Sequence, residues 1–379
     1  MGYSGASVAK AKILLKNSNI SHDVFIKMIK FEALPQDVGL RDLKIVRNIQ
    51  SYRNELAVMK HLYPEMDRIG LRHPKVLKLE VKDNIEDNED IEFNFIQENL
   101  MTEYTQNCNI EEKHLHLSLK WLARFHAITL NSNKEFQNID GIWDKGTHLA
   151  LEKRPKQELA DLSKQWKSFI DNFNREISSE EYPQLKKIFE NKNVQAAGDV
   201  LTRAAEDISL RLHEKSALKA IVHGDFKPAN IMFPDSDVDD DICVIDYQWT
   251  GPANIATDLV YMIATGMKPP IDVKSQILTP YYNYLKDAYH DNGKKSNECN
   301  NLNMFNLTEE QLEIDFSLSL LDFMRWCVPG RKLGNETPLT YARRKDNIDI
   351  NLGRWRRDVH LIAWLFEQTT ERLEKLGYK

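Results

Sequence analysis

Cysteine is scarce in this chain and shows no grouping. Cys108, Cys243, Cys299 and Cys327 are scattered over 379 residues without metal-ligand spacing. That argues against a cysteine-built metal centre and fits a reducing compartment, so a cytoplasmic location is expected. Cys243 lies inside an apolar run and is expected to behave as a buried small hydrophobe. Positive charge is also in deficit. Lys and Arg total 51 against 57 Asp and Glu, giving a net charge of -6. The basic face of a nucleic-acid-binding protein is therefore not expected. No apolar run approaches the ~20 residues of a membrane span. The N-terminus lacks a basic segment followed by an apolar stretch, so no secretory signal is expected. Internal repeats and extended low-complexity segments are absent as well. What remains is ordinary for a soluble globular protein, with 42% hydrophobic and 28% charged residues, and long enough for a large core.

Against this plain background two short segments stand out. His223 to Asn230 reads His-Gly-Asp-Phe-Lys-Pro-Ala-Asn, and Val244 to Gln248 reads Val-Ile-Asp-Tyr-Gln. The first follows an apolar lead-in, Leu218 to Val222. Between the two lie a short apolar run, Ile231 to Phe233, an acidic turn, Pro234 to Asp241, and a β-branched run, Ile242 to Ile245. This predicts loop, strand, turn and strand, with Asp246 at the end. In that order Asp225 is placed to take a hydroxyl proton, while Asn230 and Asp246 are placed to hold a metal–triphosphate. Phosphoryl transfer needs positioning and charge neutralisation above all, and these groups supply both. His223 is expected to fix the loop, with Asp225 better placed as base. The other reading of the segment is a surface hairpin that happens to carry Asp and Asn.

Several other segments bear on the same chemistry. Met1 to Ser7 reads Met-Gly-Tyr-Ser-Gly-Ala-Ser, and Gly2, Ser4 and Gly5 there could form a small-residue turn whose N–H groups approach phosphate; a frayed end is the other reading. Val8 to Leu15 and Val24 to Ile29 read as strands. Lys27, between Ile26 and Met28, is the candidate phosphate-contacting lysine, because a lysine inside a central strand needs an anionic partner. An outward-facing Lys27 is the alternative, and Lys30 is a rival of opposite parity. Leu40 to Met66 has helical period, with Glu55 on it. Asp83 to Asp90 reads as a solvated hairpin tip. Glu111 to Leu130 is a strong amphipathic helix in which His126 is expected to pack in the core, and Leu149 to Leu212 continues helical. Asp322 and Arg325, three apart, are expected to pair. Trp326, Trp355 and Trp364 are expected in the core.

Taken together these segments resemble the phosphotransferases of the aminoglycoside and choline kinase superfamily, and within it the ecdysteroid kinase-like, or CHK kinase-like, group. The resembling residues are His223 to Asn230, Val244 to Gln248 and Gly251 to Leu259. Earlier ones are Phe25 to Lys30, Ser51 to Met66, Phe95 to Leu100 and Leu119 to Leu130, in the same order. The resemblance implies an α+β, two-lobed protein-kinase-like fold. Residues 1–100 would form an N-lobe of antiparallel sheet plus one helix, and residues 101–379 a mainly helical C-lobe. It further implies ATP and Mg2+ between the lobes and a small hydroxylated molecule as acceptor. Glu55 would pair with Lys27. The backbone of Gln97, Glu98, Asn99 and Leu100 would meet adenine as the hinge. Lys227 would approach the transferred phosphate, and Asp258 would brace the loop from below. A strand ordinarily precedes the glycine-rich turn in this group, whereas here the chain opens on the turn itself.

Two other functions share parts of this pattern. A protein kinase would carry arginine where Gly224 stands and Phe-Gly where Tyr247 and Gln248 stand, with an Ala-Pro-Glu beyond. A non-catalytic nucleotide-binding module would be expected to have lost Asp225, Asn230, Asp246 or Lys27, and all four are present.

Overall fold

The computed structural model describes residues 5–14, 21–31, 43–82, 91–130, 139–177, 182–236, 241–295 and 307–379. Its first part is an antiparallel sheet with helices beside it. Strand β1 (Gly5–Leu14) pairs with β2 (Ser21–Phe31). Helices α1 (Leu43–His61) and α2 (Tyr63–Ile69) follow, and then β3 (Val76–Lys82) and β4 (Ile91–Glu98). The sheet order is β1-β2-β4-β3. The helical period read over residues 40–66 thus resolves into two helices broken at Leu62.

Strand periodicity decides which side chains meet α1. Residues of one parity in β2, Lys27, Ile29 and Phe31, face the helix, while Met28 on the other parity is exposed. Across the ladder Lys27 pairs with Phe95 and Ile29 with Phe93. The helix answers with Ile49, Tyr52, Leu56 and Met59, a three- and four-residue spacing that forms one apolar stripe. Glu55 lies on that stripe and is buried.

The rest of the chain is mainly helical. A short strand β5 (Tyr104–Gln106) leads into α3 (Glu112–Thr129), α4 (Lys156–Glu176), α5 (Pro183–Glu190) and α6 (Lys192–Leu210). Then come β6 (Lys219–Val222), β7 (Ile231–Pro234), β8 (Cys243–Val244) and β9 (Gly251–Asn254). Helices α7 (Ala256–Gly266), α8 (Thr279–Lys295), α9 (Glu309–Gly330), α10 (Pro338–Arg344) and α11 (Val359–Lys375) complete it. One apolar cluster runs from Val58 in α1 to Leu373 in α11 and makes this body continuous. The loop–strand–turn–strand order is present, with β5-β7-β8 as one small sheet and β6-β9 as another. Residues 83–90 and 237–240, the two expected turn tips, lie outside the described residues. Among the described residues no helix is long and apolar enough to cross a membrane.

Inside the helical body Asp322 and Arg325 do pair, Nε to Oδ1 at 2.7 Å, with both side chains buried. Cys243 is fully buried, and burial pushes its thiol up.

Candidate active site

The His223–Asn230 loop owes its shape to one glycine and one buried aspartate. Gly224 sits at φ +81°, and a Cβ there would stand 2.1 Å from the Trp249 carbonyl oxygen. Only glycine fits that approach. Beneath the loop Asp258, on the first turn of α7, accepts from the His223 N–H at 2.7 Å and the Gly224 N–H at 2.9 Å. His126 joins the same carboxylate through Nε2 at 3.2 Å, and its Nδ1 meets the Tyr281 hydroxyl at 2.7 Å. All three side chains are fully buried. His126, expected as a core histidine, is therefore also a hydrogen-bonded link from α8 to the loop.

His223 spans the loop. Its Nε2 lies 3.0 Å from the Ile245 carbonyl, and its Nδ1 accepts from the Asp225 N–H at 3.3 Å. This pattern fixes the neutral tautomer with the proton on Nε2, and burial lowers the imidazole pKa in agreement. The loop then presents Asp225, Lys227 and Asn230 together. Lys227 Nζ donates to Asp225 Oδ2 at 2.6 Å. Asn230 Nδ2 donates to the Asp225 carbonyl at 2.9 Å and to Oδ2 at 3.1 Å. With its nitrogen turned to Asp225, the amide oxygen of Asn230 is left on the opposite side. Burial lowers the Lys227 pKa, but the Asp225 carboxylate more than reverses it, so the amine stays charged.

Asp246 follows β8 in left-handed backbone, φ +68°. A non-glycine residue held there costs energy and persists only where its surroundings impose it. Asn54 of α1 supplies one restraint, donating to the Tyr247 carbonyl at 2.9 Å and accepting from the Trp143 N–H at 2.7 Å. Asp246 Oδ1 is enclosed and accepts no hydrogen bond. The nearest cation, Lys27 Nζ, is 3.9 Å away, an ion-pair distance too long for a hydrogen bond.

Lys27 itself donates to Glu55 Oε2 at 2.7 Å and lies over the Tyr52 and Phe95 rings, 5.2 and 5.7 Å from their centroids. Burial works against its charge, and Glu55 and Asp246 outweigh it, so its pKa stands above the ordinary lysine value. Burial pushes the Glu55 carboxyl up, and Lys27 pulls back only part of that rise. The rival Lys30 is exposed and pairs with Glu92 at 3.2 Å.

A cleft of about 250 Å3 brings these groups to one space. Lys27, Glu55, Asn230 and Asp246 line it, as do Gln97, Glu98, Asn99 and Leu100. Val8 of β1 and Met232 and Ile245 of the small sheet give it apolar faces from both halves. Two N–H groups of the Gln97–Leu100 segment are already engaged, Glu98 to the Lys75 carbonyl and Asn99 to the Asp23 carbonyl. The Glu98 carboxylate holds Arg72 at 2.7 Å. Gly2 and Ser4 lie outside the described residues. Gly5 stands in extended backbone opposite Lys30, so the tail of the expected turn is drawn into β1.

Among the described residues no group of three or more His, Cys, Asp or Glu could hold a metal. A two-ligand site of one amide and one carboxylate suits a hard cation that takes its remaining ligands from phosphate and water. The unsatisfied Asp246 oxygen fits that role.

Residues 10–293, well over half of the chain, match the sequence model of the ecdysteroid kinase-like family. The chain belongs to that family. Solved structures similar to it include an amicoumacin kinase in complex with AMP-PNP, Ca2+ and amicoumacin, at 12% identity and TM-score 0.42 over 95% of this chain and 91% of that one. A choline kinase from Streptococcus pneumoniae is similar at 14% identity and TM-score 0.35, over 94% and 93% of the two chains. No curated protein sequence matches.

Beside Asp225, this family member carries aromatic residues that periodicity did not single out. The Tyr261 phenol of α7 faces the Asp225 carboxylate; burial and then that carboxylate push it well above its ordinary pKa. His148 packs edge-on to Tyr261, its ring centroid 5.4 Å away. It also meets Trp326 at 4.9 Å and Trp249 at 5.5 Å. Trp249 stacks on Trp143 at 5.7 Å and 4°. Backbone bonds from Gly146 N–H to the Pro252 carbonyl and from Thr147 N–H to the Trp249 carbonyl, both 2.8 Å, hold the two segments together. Trp326, expected in the core, is buried there and also ends this aromatic row, whereas Trp355 is simply buried. The one available signal was Trp249, which directly follows the Val244–Gln248 segment.

Proposed function

We propose that this protein is an ATP-dependent small-molecule kinase that transfers the γ-phosphoryl group to a substrate hydroxyl. The observation that carries the reading is the buried, unsatisfied Asp246 oxygen, held by left-handed backbone in a cleft shared with Lys27, Glu55 and Asn230. An isolated buried carboxylate oxygen is costly unless a cation completes it.

In this reading residues near 1–100 form the nucleotide-binding lobe and those near 101–379 the acceptor lobe. Adenine lies between Val8 and the Met232–Ile245 floor. Its polar contacts fall to the segment from Gln97 to Leu100, excluding the two N–H groups already engaged. Gly2, Ser4 and Gly5 belong to the phosphate-facing turn. Lys27, oriented by Glu55, meets the phosphates. Asn230 and Asp246 would hold Mg2+, which when bound supplies charge neutralisation on the triphosphate. Asp225 orients the acceptor hydroxyl and takes its proton. The new bond joins the acceptor oxygen to the γ-phosphorus, the bond from that phosphorus to the β-bridging oxygen breaks, and ADP leaves with the electron pair. Lys227, released from Asp225, offsets charge on the group in transit.

The test is ADP production by the purified protein with ATP and magnesium, against pooled sterols, amino alcohols and aminoglycosides. Asp225→Asn is expected to lose on the order of 10^2–10^4-fold in turnover while ATP affinity is kept. Turnover unchanged in that variant, or no ATP binding by the parent protein, would refute the reading.

A further inference from the structure

A second cavity, of about 280 Å3, shares no lining residue with the cleft. Helix α10, the start of α11 and the residues just before α11 form most of its wall. Its size is close to the lower bound of roughly 300 Å3 at which small-molecule pockets begin.

The charges around it do not balance. Arg357, on its wall, is only 8% exposed and makes no ion pair among the described residues. Neutral groups alone hold its guanidinium. Nη1 donates to the Asn347 carbonyl at 2.9 Å, and Nη2 to the Cys108 carbonyl at 2.6 Å and to Asn109 Oδ1 at 2.8 Å, while Nε has no partner. Such bonds satisfy donors and leave the charge without a counter-ion, which is costly for a buried ion. Lys345 shares the wall, is exposed, and is likewise without an ion pair among the described residues. Asp358, the one carboxylate among the described lining residues, is already engaged. Its Oδ2 holds Arg354 Nε at 2.9 Å, and its Oδ1 accepts from the His360 and Leu361 N–H groups at 3.0 and 3.2 Å. Asp346 and Asp349, on the turn whose Asn347 carbonyl meets Arg357, are exposed and pair with neither cation. Two positive charges therefore remain, at the N-terminal end of the 17-residue α11, where the helix dipole adds a partial charge of the same sign.

The rest of the wall is flat and apolar. Tyr341 commits its hydroxyl to the Trp355 carbonyl at 3.2 Å and offers only its ring. Tyr182, Ile177 and Val359 extend that face, with the His360 ring edge-on to Tyr182 at 6.1 Å.

We propose that this cavity binds a small organic anion, a compact molecule with a carboxylate-like head and a flat apolar body. The head lies among Lys345, Arg357 and the start of α11, and the body lies against Tyr182 and Tyr341. The proposal goes beyond the kinase reading and rests on no part of it.

The experiment uses the full-length protein and three ring compounds of one size, benzoate, benzamide and benzylammonium, with dissociation constants from NMR titration. Benzoate is expected to bind about tenfold tighter than benzamide, and benzylammonium weakest. Lys345→Gln, at an exposed position, should cut the benzoate preference to about threefold and leave benzamide affinity and the unfolding midpoint unchanged. Lys345→Glu should abolish it, and so should Arg357→Gln where that variant folds. Benzoate binding no tighter than benzamide, a preference that survives Lys345→Glu, or no binding by any of the three overturns the proposal. Glu180 and Glu181 stand between Ile177 and Tyr182 in the sequence and lie outside the described residues. Benzoate binding that appears only after Glu180→Gln and Glu181→Gln together would mean that the chain's own carboxylates fill the cavity, and it overturns the proposal as well.

Discussion

In the sheet, Lys27 is held by a single short ion pair above a small apolar cluster of β2, β4 and α1 residues. Under the loop, Asp258 is held by two backbone N–H groups and a histidine, inside an apolar cluster that spans the helical body. The sheet leaves Val8, Met28, Leu77, Leu79 and Val81 exposed, and the helical body buries nearly every side chain of α9 from Leu312 to Pro329. The comparison teaches how a two-part cleft divides its labour. Groups in the sheet are placed by charge and depend on one partner. The loop is placed by many buried hydrogen bonds and tolerates little movement. Substitutions should therefore separate the two: changes in the sheet strike turnover first, and changes under the loop strike stability first.

Within this comparison the largest expected effect is that of Lys27→Met. On the proposed kinase reading, loss of this preorganised cation at a developing charge costs on the order of 10^2–10^3-fold in turnover. The same variant leaves Glu55 without its ammonium partner. Its folded pKa already stands above the ordinary value, and losing Lys27 raises it further. The folded state then holds a proton that the unfolded state has released. The cost of the substitution should therefore be least near pH 4.5, the ordinary glutamate value, and grow as pH climbs through the folded pKa. Urea midpoints for the variant and parent between pH 5 and 8 check this. A pH-independent difference would mean that Gln248, 3.5 Å from Glu55, suffices as its partner. Asp258→Asn comes next, at roughly 3 kcal/mol, because an amide cannot accept from all three buried donors. Equilibrium unfolding reads it directly. A loss below about 0.5 kcal/mol would break the contrast between the two regions.

Much of this arrangement was legible in the sequence, for a physical reason. Asp225, Lys227 and Asn230 come from one loop, and Asp246 lies one hairpin away, so local spacing already brings them near one another. Lys27 was legible from strand parity, whereas Glu55 was singled out only by the resemblance. The Trp143, His148, Tyr261 and Trp326 group was not legible. Its members come from segments far apart in sequence, joined only when the Gly146–Thr147 backbone binds Trp249 and Pro252. Each alone looks like a core aromatic. Asn54 was missed for a different reason: it makes no pattern of its own and acts by tying α1 to the backbone beside Asp246.

Lys153 offers the subtlest test, because its charge is held neither by a short ion pair nor by a buried carboxylate. Its ammonium lies on the Trp143 ring and donates to the Lys145 and Thr147 carbonyls. Burial lowers its pKa to about 8, against the partial opposition of Asp144 and Glu152. The unfolded chain keeps that proton up to the ordinary lysine value of 10.5. Between these two values the unfolded state binds more protons than the folded one, so the stability of the parent protein rises with pH across the window. Lys153→Met fills much of the same space and does not titrate. It should be more stable than the parent below pH 8, and the advantage should shrink as pH rises towards 10.5. Urea midpoints for the pair at pH 7 and pH 9.5 measure the change. A difference that stays constant would mean the ring and the two carbonyls keep Lys153 charged throughout, and Lys153 would then be held as firmly as Lys27 is in the sheet.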